Sequence, residues 1–408
     1  MSFFFSIVYL VMEYMRPQQM YAFLANLPLA EISIIGMIIF FILENKKVET
    51  YNFQNVLVVC FLFWLFVTYV LSINMTLAWQ PVIDFAKWVC IYYLLVNIIN
   101  DREKLYFFVI VFLLMHFKQS QFLTRGLILS GGSTGQTGLY SGAGFFANPG
   151  DLGTALSMVF GISYYLIRAE TRKLFNRVKM SWVLTAITVS IPIALLATNS
   201  RGPALAFVVC LLSIWYKNKK KIFSIVVIIL VIGGFIAFMP NWERFRSTGG
   251  DEDVTGQQRI ELWKAGMKMS SKYPFTGVGP NNFVYVNQKY YGSELPLVQH
   301  NVFIQVLSEL GYPGLLLYLA IIFGCFRNHK RVRELLRTHE VDDPFLLRLS
   351  HGLDVGLIGY MVSAFFVAVL YYPFFWTFLI ISVALTHVTE KRCMKNEVVN
   401  LSAASIAS

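Results

Sequence analysis

Apolar residues run in blocks along this chain, and polar residues collect in the gaps between blocks instead of alternating with them. The blocks are centred on residues 3–15, 29–43, 54–72, 81–99, 105–117, 150–167, 181–198, 203–216, 222–239, 301–325, 353–370 and 373–388. A helix needs roughly 20 apolar residues to cross a bilayer. The pattern therefore predicts an all-α polytopic membrane protein of about twelve transmembrane helices, the first and fifth short. In the tenth block, Glu309-Leu310-Gly311-Tyr312-Pro313-Gly314 predicts a break or kink. The first block lacks a basic leader and a small-residue cleavage site, so it reads as a retained span. No internal repeat is visible.

Two gaps stand out. Residues 240–300 form one long segment outside the spans, and within it residues 255–272 read as an amphipathic helix. Thr255 and Gln258 have capping-box spacing, and Ile260, Trp263 and Met267 recur near one face. Residues 118–149 are rich in Gly, Ser and Thr around Gly131 to Gly138 and read as flexible loop.

Composition agrees with a membrane protein: 56% of residues are apolar and 14% charged, against about 45–50% and about 25% in soluble domains. The net charge of +11 sits in short clusters between blocks. No basic domain stands outside the spans, which argues against nucleic-acid binding. With both termini cytoplasmic, the short inner loops hold 22 Lys and Arg and the short outer loops four. That asymmetry sets the long segment on the outer face. None of the five cysteines lies in it, so neither a disulfide framework nor a cysteine metal site is expected.

Six histidines are present, and this topology leaves only His116 and His300 on the outer side. His116 lies in a bare apolar run and reads as a packed side chain. His300 sits between Gln299 and Asn301 where the long segment re-enters the membrane. A cap or interfacial role fits it, and so does a general base or hydrogen-bond donor. Arg201 lies in the tight turn Thr198 to Pro203. Its planar fork suits phosphate oxygens, and snorkelling to headgroups is the alternative. Arg259 opens the amphipathic helix beside Trp263 and reads as a second phosphate clamp, with Arg244, Arg246, Lys264 and Lys268 adding a diffuse positive field. Asn148-Pro149-Gly150-Asp151 starts the sixth span, where Asn148 or Asp151 caps the helix. Asp84 and Lys87 form either a buried pair or a proton relay. There are no paired outward carboxylates and no His/Cys cluster, so neither a metal nor a cofactor is expected.

In order along the chain, Asn148-Pro149-Gly150-Asp151-Leu152, Ser200-Arg201-Gly202, Arg259 with Trp263, Pro274 to Phe283, and His300-Asn301 through Gly311 resemble the O-antigen ligase and polymerase superfamily (the WaaL/Wzy type). Its core corresponds to roughly residues 120–370. The opening Glu13 to Gln18 is similar to a subgroup of O-glycosylation ligases linked to exosortase systems. The resemblance implies a GT-C-like inner-membrane glycosyltransferase with its active site facing the periplasm. It would move a glycan from an undecaprenyl-diphosphate carrier to an acceptor hydroxyl, inverting the anomeric centre without a metal. The acceptor would be lipid A core, a protein or a growing polysaccharide. Arg201 and Arg259 would hold the diphosphate, His300 would orient or deprotonate the acceptor, and Trp263, Asn301, Asn148 and Asp151 would contact substrate. At Gly150 the family often has Asn, a departure touching the first outer segment. The expected division is residues 1–120 for five N-terminal spans, 121–370 for the ligase-like core with segment 240–300, and 371–408 for the last span and a cytoplasmic tail. Two other readings share these features: a polymerase extending lipid-linked repeat units, and a transporter of lipid-linked sugars. The transporter should have more charges lining its spans than Asp84, Lys87 and Glu309.

Overall fold

The computed structural model describes residues 1–45, 52–133, 138–140, 146–169, 172–174, 178–217, 254–292 and 296–407. Among them are thirteen helices of nine residues or more: α1 (Ser2–Met15), α2 (Leu29–Leu43), α3 (Phe53–Val70), α4 (Met75–Ile98), α5 (Arg102–Leu129), α6 (Pro149–Ile167), α7 (Met180–Thr198), α8 (Arg201–Lys217), α9 (Val254–Lys272), α10 (Phe283–Tyr291), α11 (Val302–Thr338), α12 (Pro344–Ser363) and α13 (Pro373–Ala407). A two-residue antiparallel ladder, Lys173–Leu174 with Val178–Lys179, links α6 to α7. The fold is all-α and polytopic.

Eleven of the twelve apolar blocks fall on helices, and the block at 222–239 lies outside the described residues, as do Arg244 and Arg246. Seven of the described helices, α3, α4, α5, α7, α11, α12 and α13, are long and apolar enough to cross a membrane, while α2 and α8 are shorter apolar helices. Three expectations need correction. Residues 118–129 are not loop, because α5 continues through them for 28 residues. The block at 353–370 is not one span: α12 stops at Ser363 and residues 364–372 form a link. Asp84 and Lys87 do pair at 3.5 Å, but with side chains 46% and 58% exposed they are not buried.

Helix starts share one device. Asn52, Asn74, Asp101, Asn148, Asn301 and Asp343 each accept a hydrogen bond from a first-turn backbone N–H. Short Asx side chains satisfy the donors left open at a helix N-terminus, where water at a membrane boundary is scarce. At the centre, α6 packs on α12 through small residues. A Cβ on Gly161 would lie 2.6 Å from the Gly352 carbonyl oxygen, so only glycine permits this approach.

The loops gather at two ends. One end collects charge: Arg102 pairs with buried Asp343 at 2.7 Å, Arg172 with Glu103 at 2.8 Å, and Arg333 with Asp354 at 3.0 Å. The other end gathers the starts of α6, α8 and α11, the 364–372 link and the segment carrying α9 and α10. There Leu139 N–H donates to Ala197 O at 2.8 Å, Ile73 N–H to Val278 O at 3.1 Å, and Val302 N–H to Ala364 O at 2.8 Å.

Candidate functional site

The site begins at a break in α11. Gly311 takes φ 70° and ψ −175° inside the helix, and Pro313 has no N–H to give. The helix interruption therefore frees the carbonyls of Ser308, Glu309 and Leu310. Each finds another donor. Val278 N–H bonds Ser308 O at 2.8 Å, Gly279 N–H bonds Glu309 O at 3.0 Å, and Trp64 Nε1 bonds Leu310 O at 2.8 Å. Tyr312 N–H in turn donates to Pro274 O at 2.8 Å. The Pro274–Pro280 turn thus clasps the kink. A Cβ on Gly277 would meet the Glu309 backbone at 2.4 Å and one on Gly311 the Phe275 oxygen at 2.1 Å, both at positive φ, so these two glycines are required.

The clasp positions Glu309, a carboxylate buried to 2% exposure. It accepts from Asn281 N–H at 3.0 Å, Tyr371 Oη–H at 3.2 Å and Gln299 Nε2 at 3.4 Å. Gln299 also donates to Ser308 Oγ at 3.2 Å, and its carbonyl accepts from Trp263 Nε1 at 2.9 Å. Next in the chain, Asn301 caps α11 through Phe303 N–H at 2.9 Å and Ile304 N–H at 3.1 Å.

Between these fixed neighbours stands His300, with φ 48° in the left-handed region. A non-glycine residue there costs about 1–3 kcal/mol and persists only where its surroundings determine it. Here the flanking carbonyl of Gln299, the cap at Asn301 and the Val302–Ala364 bond determine it. Burial, and then the charge of the neighbouring Arg259 guanidinium, push the His300 imidazole down to about 4. It is neutral at pH 7 and able to take a proton. The cap reading fails for His300 and belongs to Asn301.

Arg259 and Trp263 lie one turn apart on α9, and Gly266, a further turn along, packs on Ile304 of α11. Arg201 opens α8. The adjacent Gly202 packs against Phe366, two residues from the Ala364 that bonds Val302. Below this level runs an apolar groove of about 610 Å³, lined by Leu205, Trp263, Phe326, Ile358, Phe365 and Phe366. Leu205 and Phe365 are 47% and 48% exposed on the outside of the bundle. Leu205 follows Arg201 by four residues as Trp263 follows Arg259, so both arginines stand one helical turn from the groove walls.

Asn148 accepts from Gly150 N–H at 2.8 Å and caps α6, with Ser200 Oγ close to Gly150. Asp151 is buried and hydrogen-bonded to Tyr372. The structure thus brings His300, Arg259, Trp263 and Asn301 together, with Arg201, Asn148 and Asp151 at the same end of the bundle. His116 is packed among Tyr14, Phe112 and Phe146, as expected. The sequence reading missed Gln299 and Glu309 as supports of His300, since only the helix break brings them into register. It also missed Asn199, 8% exposed in the turn before Arg201, whose two amide atoms have no hydrogen-bond partner among the described residues.

Fold and site together define a polytopic helical membrane protein with a prepared binding surface at one end. Residues 184–319 match the O-antigen ligase family, from α7 through α8, α9, the clasp and His300 to the first part of α11. The chain is thus similar to the O-antigen ligase family over a part that includes Arg201, Arg259 and His300. Residues 1–149 match a family of unknown function, DUF5935. Comparison with curated proteins gives no match.

Proposed function

We propose that the protein transfers a glycan from an undecaprenyl-diphosphate carrier to an acceptor hydroxyl at the periplasmic face of the bacterial inner membrane, as an O-antigen or O-glycosylation ligase. One observation carries this reading: a histidine is fixed beside an arginine that stands one helical turn from Trp263 in the wall of an apolar groove. The groove suits a polyprenyl chain. Arg201 at the start of α8 and Arg259 on α9 suit a diphosphate at the membrane edge. The acceptor hydroxyl gives its proton to His300 as its oxygen attacks the anomeric carbon. The bond from that carbon to the diphosphate oxygen breaks, and undecaprenyl diphosphate leaves with charge that the arginines stabilise. Attack opposite the leaving group inverts the centre. Two arginines supply the counter-charge, so the proposed step needs no metal. Transport of lipid-linked sugars is disfavoured: Asp84 and Lys87 pair on an exposed helix face, and Glu309 is held by its neighbours.

The test supplies undecaprenyl-diphosphate-linked glycan and candidate acceptors to the protein in detergent with EDTA, and measures release of undecaprenyl diphosphate. We expect release from the wild type and a loss of at least about a hundredfold in His300→Ala, as for a general base, and in Arg201→Ala, as for a group that stabilises transition-state charge. Wild-type rates in both variants would remove this site. The glycosylated product separates a ligase from a polymerase.

A further inference from the structure

α9 has a second working face. Arg259, Trp263 and Gly266 turn toward α11 and the groove, whereas Gln258, Glu261, Lys264 and Lys268 lie on the far side of the same helix. They line a cleft of about 500 Å³ closed by Asn287 and Tyr291 of α10. That volume is within the roughly 300–1,000 Å³ typical of small-molecule sites. Unlike the groove, whose lining is wholly apolar, the cleft mixes polar and apolar surface, with Leu262 and Leu297 on its apolar side. Lys264 and Lys268 are exposed and outnumber Glu261, the one carboxylate among the described lining residues.

Asn287 is the informative residue. It is only 4% exposed and lines the cleft, yet its side-chain amide makes no hydrogen bond among the described residues. Its amide atoms keep some contact with solvent, which leaves them accessible from the cleft. A ligand offering both donors and acceptors, as vicinal sugar hydroxyls do, would complete it. The exposed Tyr291 ring beside it offers a flat apolar surface for a sugar face, and the two lysines favour carboxylate or phosphate groups.

We propose that this cleft binds an acidic oligosaccharide: the outer sugars of the carried glycan or the sugars of the acceptor, one helix width from His300. The proposal rests on the transferase reading for which glycan arrives there, but the site itself can be tested without transfer.

The experiment measures binding of tetragalacturonate, and of neutral maltotetraose, to the full-length protein in detergent by calorimetry. Tetragalacturonate should bind wild type and His300→Ala alike. Binding should weaken at least tenfold in the Lys264→Ala/Lys268→Ala double variant and in Asn287→Ala, and maltotetraose should bind at least tenfold more weakly than the acidic sugar. No binding to wild type, equal binding by the lysine variant, or equal binding of the neutral sugar would each overturn the proposal. The exposed lysines carry the test even if Asn287→Ala folds poorly. A protein that binds but never transfers sinks the transferase reading alone, and one that transfers but does not bind sinks the cleft alone. In the transfer assay, the double variant should raise KM at least fivefold for the donor if the cleft holds the carried glycan, or for the acceptor if it holds that. An unchanged KM for both counts against the site.

Discussion

At the scale of single residues, His300 decides most. Its folded-state proton affinity lies below the unfolded value near 6.5, so protonation favours the unfolded chain. Its contribution to stability is fully present above about pH 6.5 and is lost as pH falls toward about 4. Activity that uses the neutral imidazole should stay level from pH 6 to 8. The acid limb of kcat/KM should fall near 4. Replacing Arg259 by Gln removes the second of the two causes and should move that limb upward, alongside its own loss of rate. An unmoved limb would disconnect the two residues. Glu309→Ala strips three donors of their acceptor at once. It should cost about 1–3 kcal/mol, read as a drop of several degrees in the melting temperature in detergent. In the sequence Arg201 stood out because a charge at a membrane edge is expensive, and His300 and Arg259 stood out by their place on the same outer segment. Glu309 was legible only as part of a kink, since its partners come from segments 10 to 62 residues away.

Helices carry the next level. Periodicity located them well, including α9, which starts at Val254 where the capping box placed Thr255 ahead of the helix. The ends were harder. α5 runs on past its apolar block because its polar residues there, Gln119 and Ser120, are buried against Tyr14 and Ser190, and such packing leaves no apolar mark. α12 ends early although residues 364–370 are still apolar, because the link must turn to bring Ala364 to Val302 and Tyr371 to Glu309. The clasp on α11 gives a sharp prediction. Gly311→Ala meets both a forbidden φ and the Phe275 carbonyl, so stability should fall by more than about 1 kcal/mol, where a Gly→Ala exchange in ordinary helix would raise it. A neutral result would mean that the kink can straighten.

For the whole molecule, most ion pairs of the described residues gather at one end and the site lies at the other, which gives the bundle a polarity. A membrane-impermeant thiol reagent should label Tyr290→Cys in intact spheroplasts, and Arg331→Cys only after lysis; the reverse pattern would invert the proposed orientation. The groove has a last consequence. Leu205 and Phe365 stand on the outside of the bundle, so whatever fills the groove arrives sideways, out of the lipid, after a search in two dimensions. Its effective concentration is a mole fraction of the bilayer and not an amount per volume. Diluting a fixed quantity of carrier with added lipid should slow the enzyme in vesicles, while diluting the same vesicles with buffer should leave the rate per enzyme unchanged.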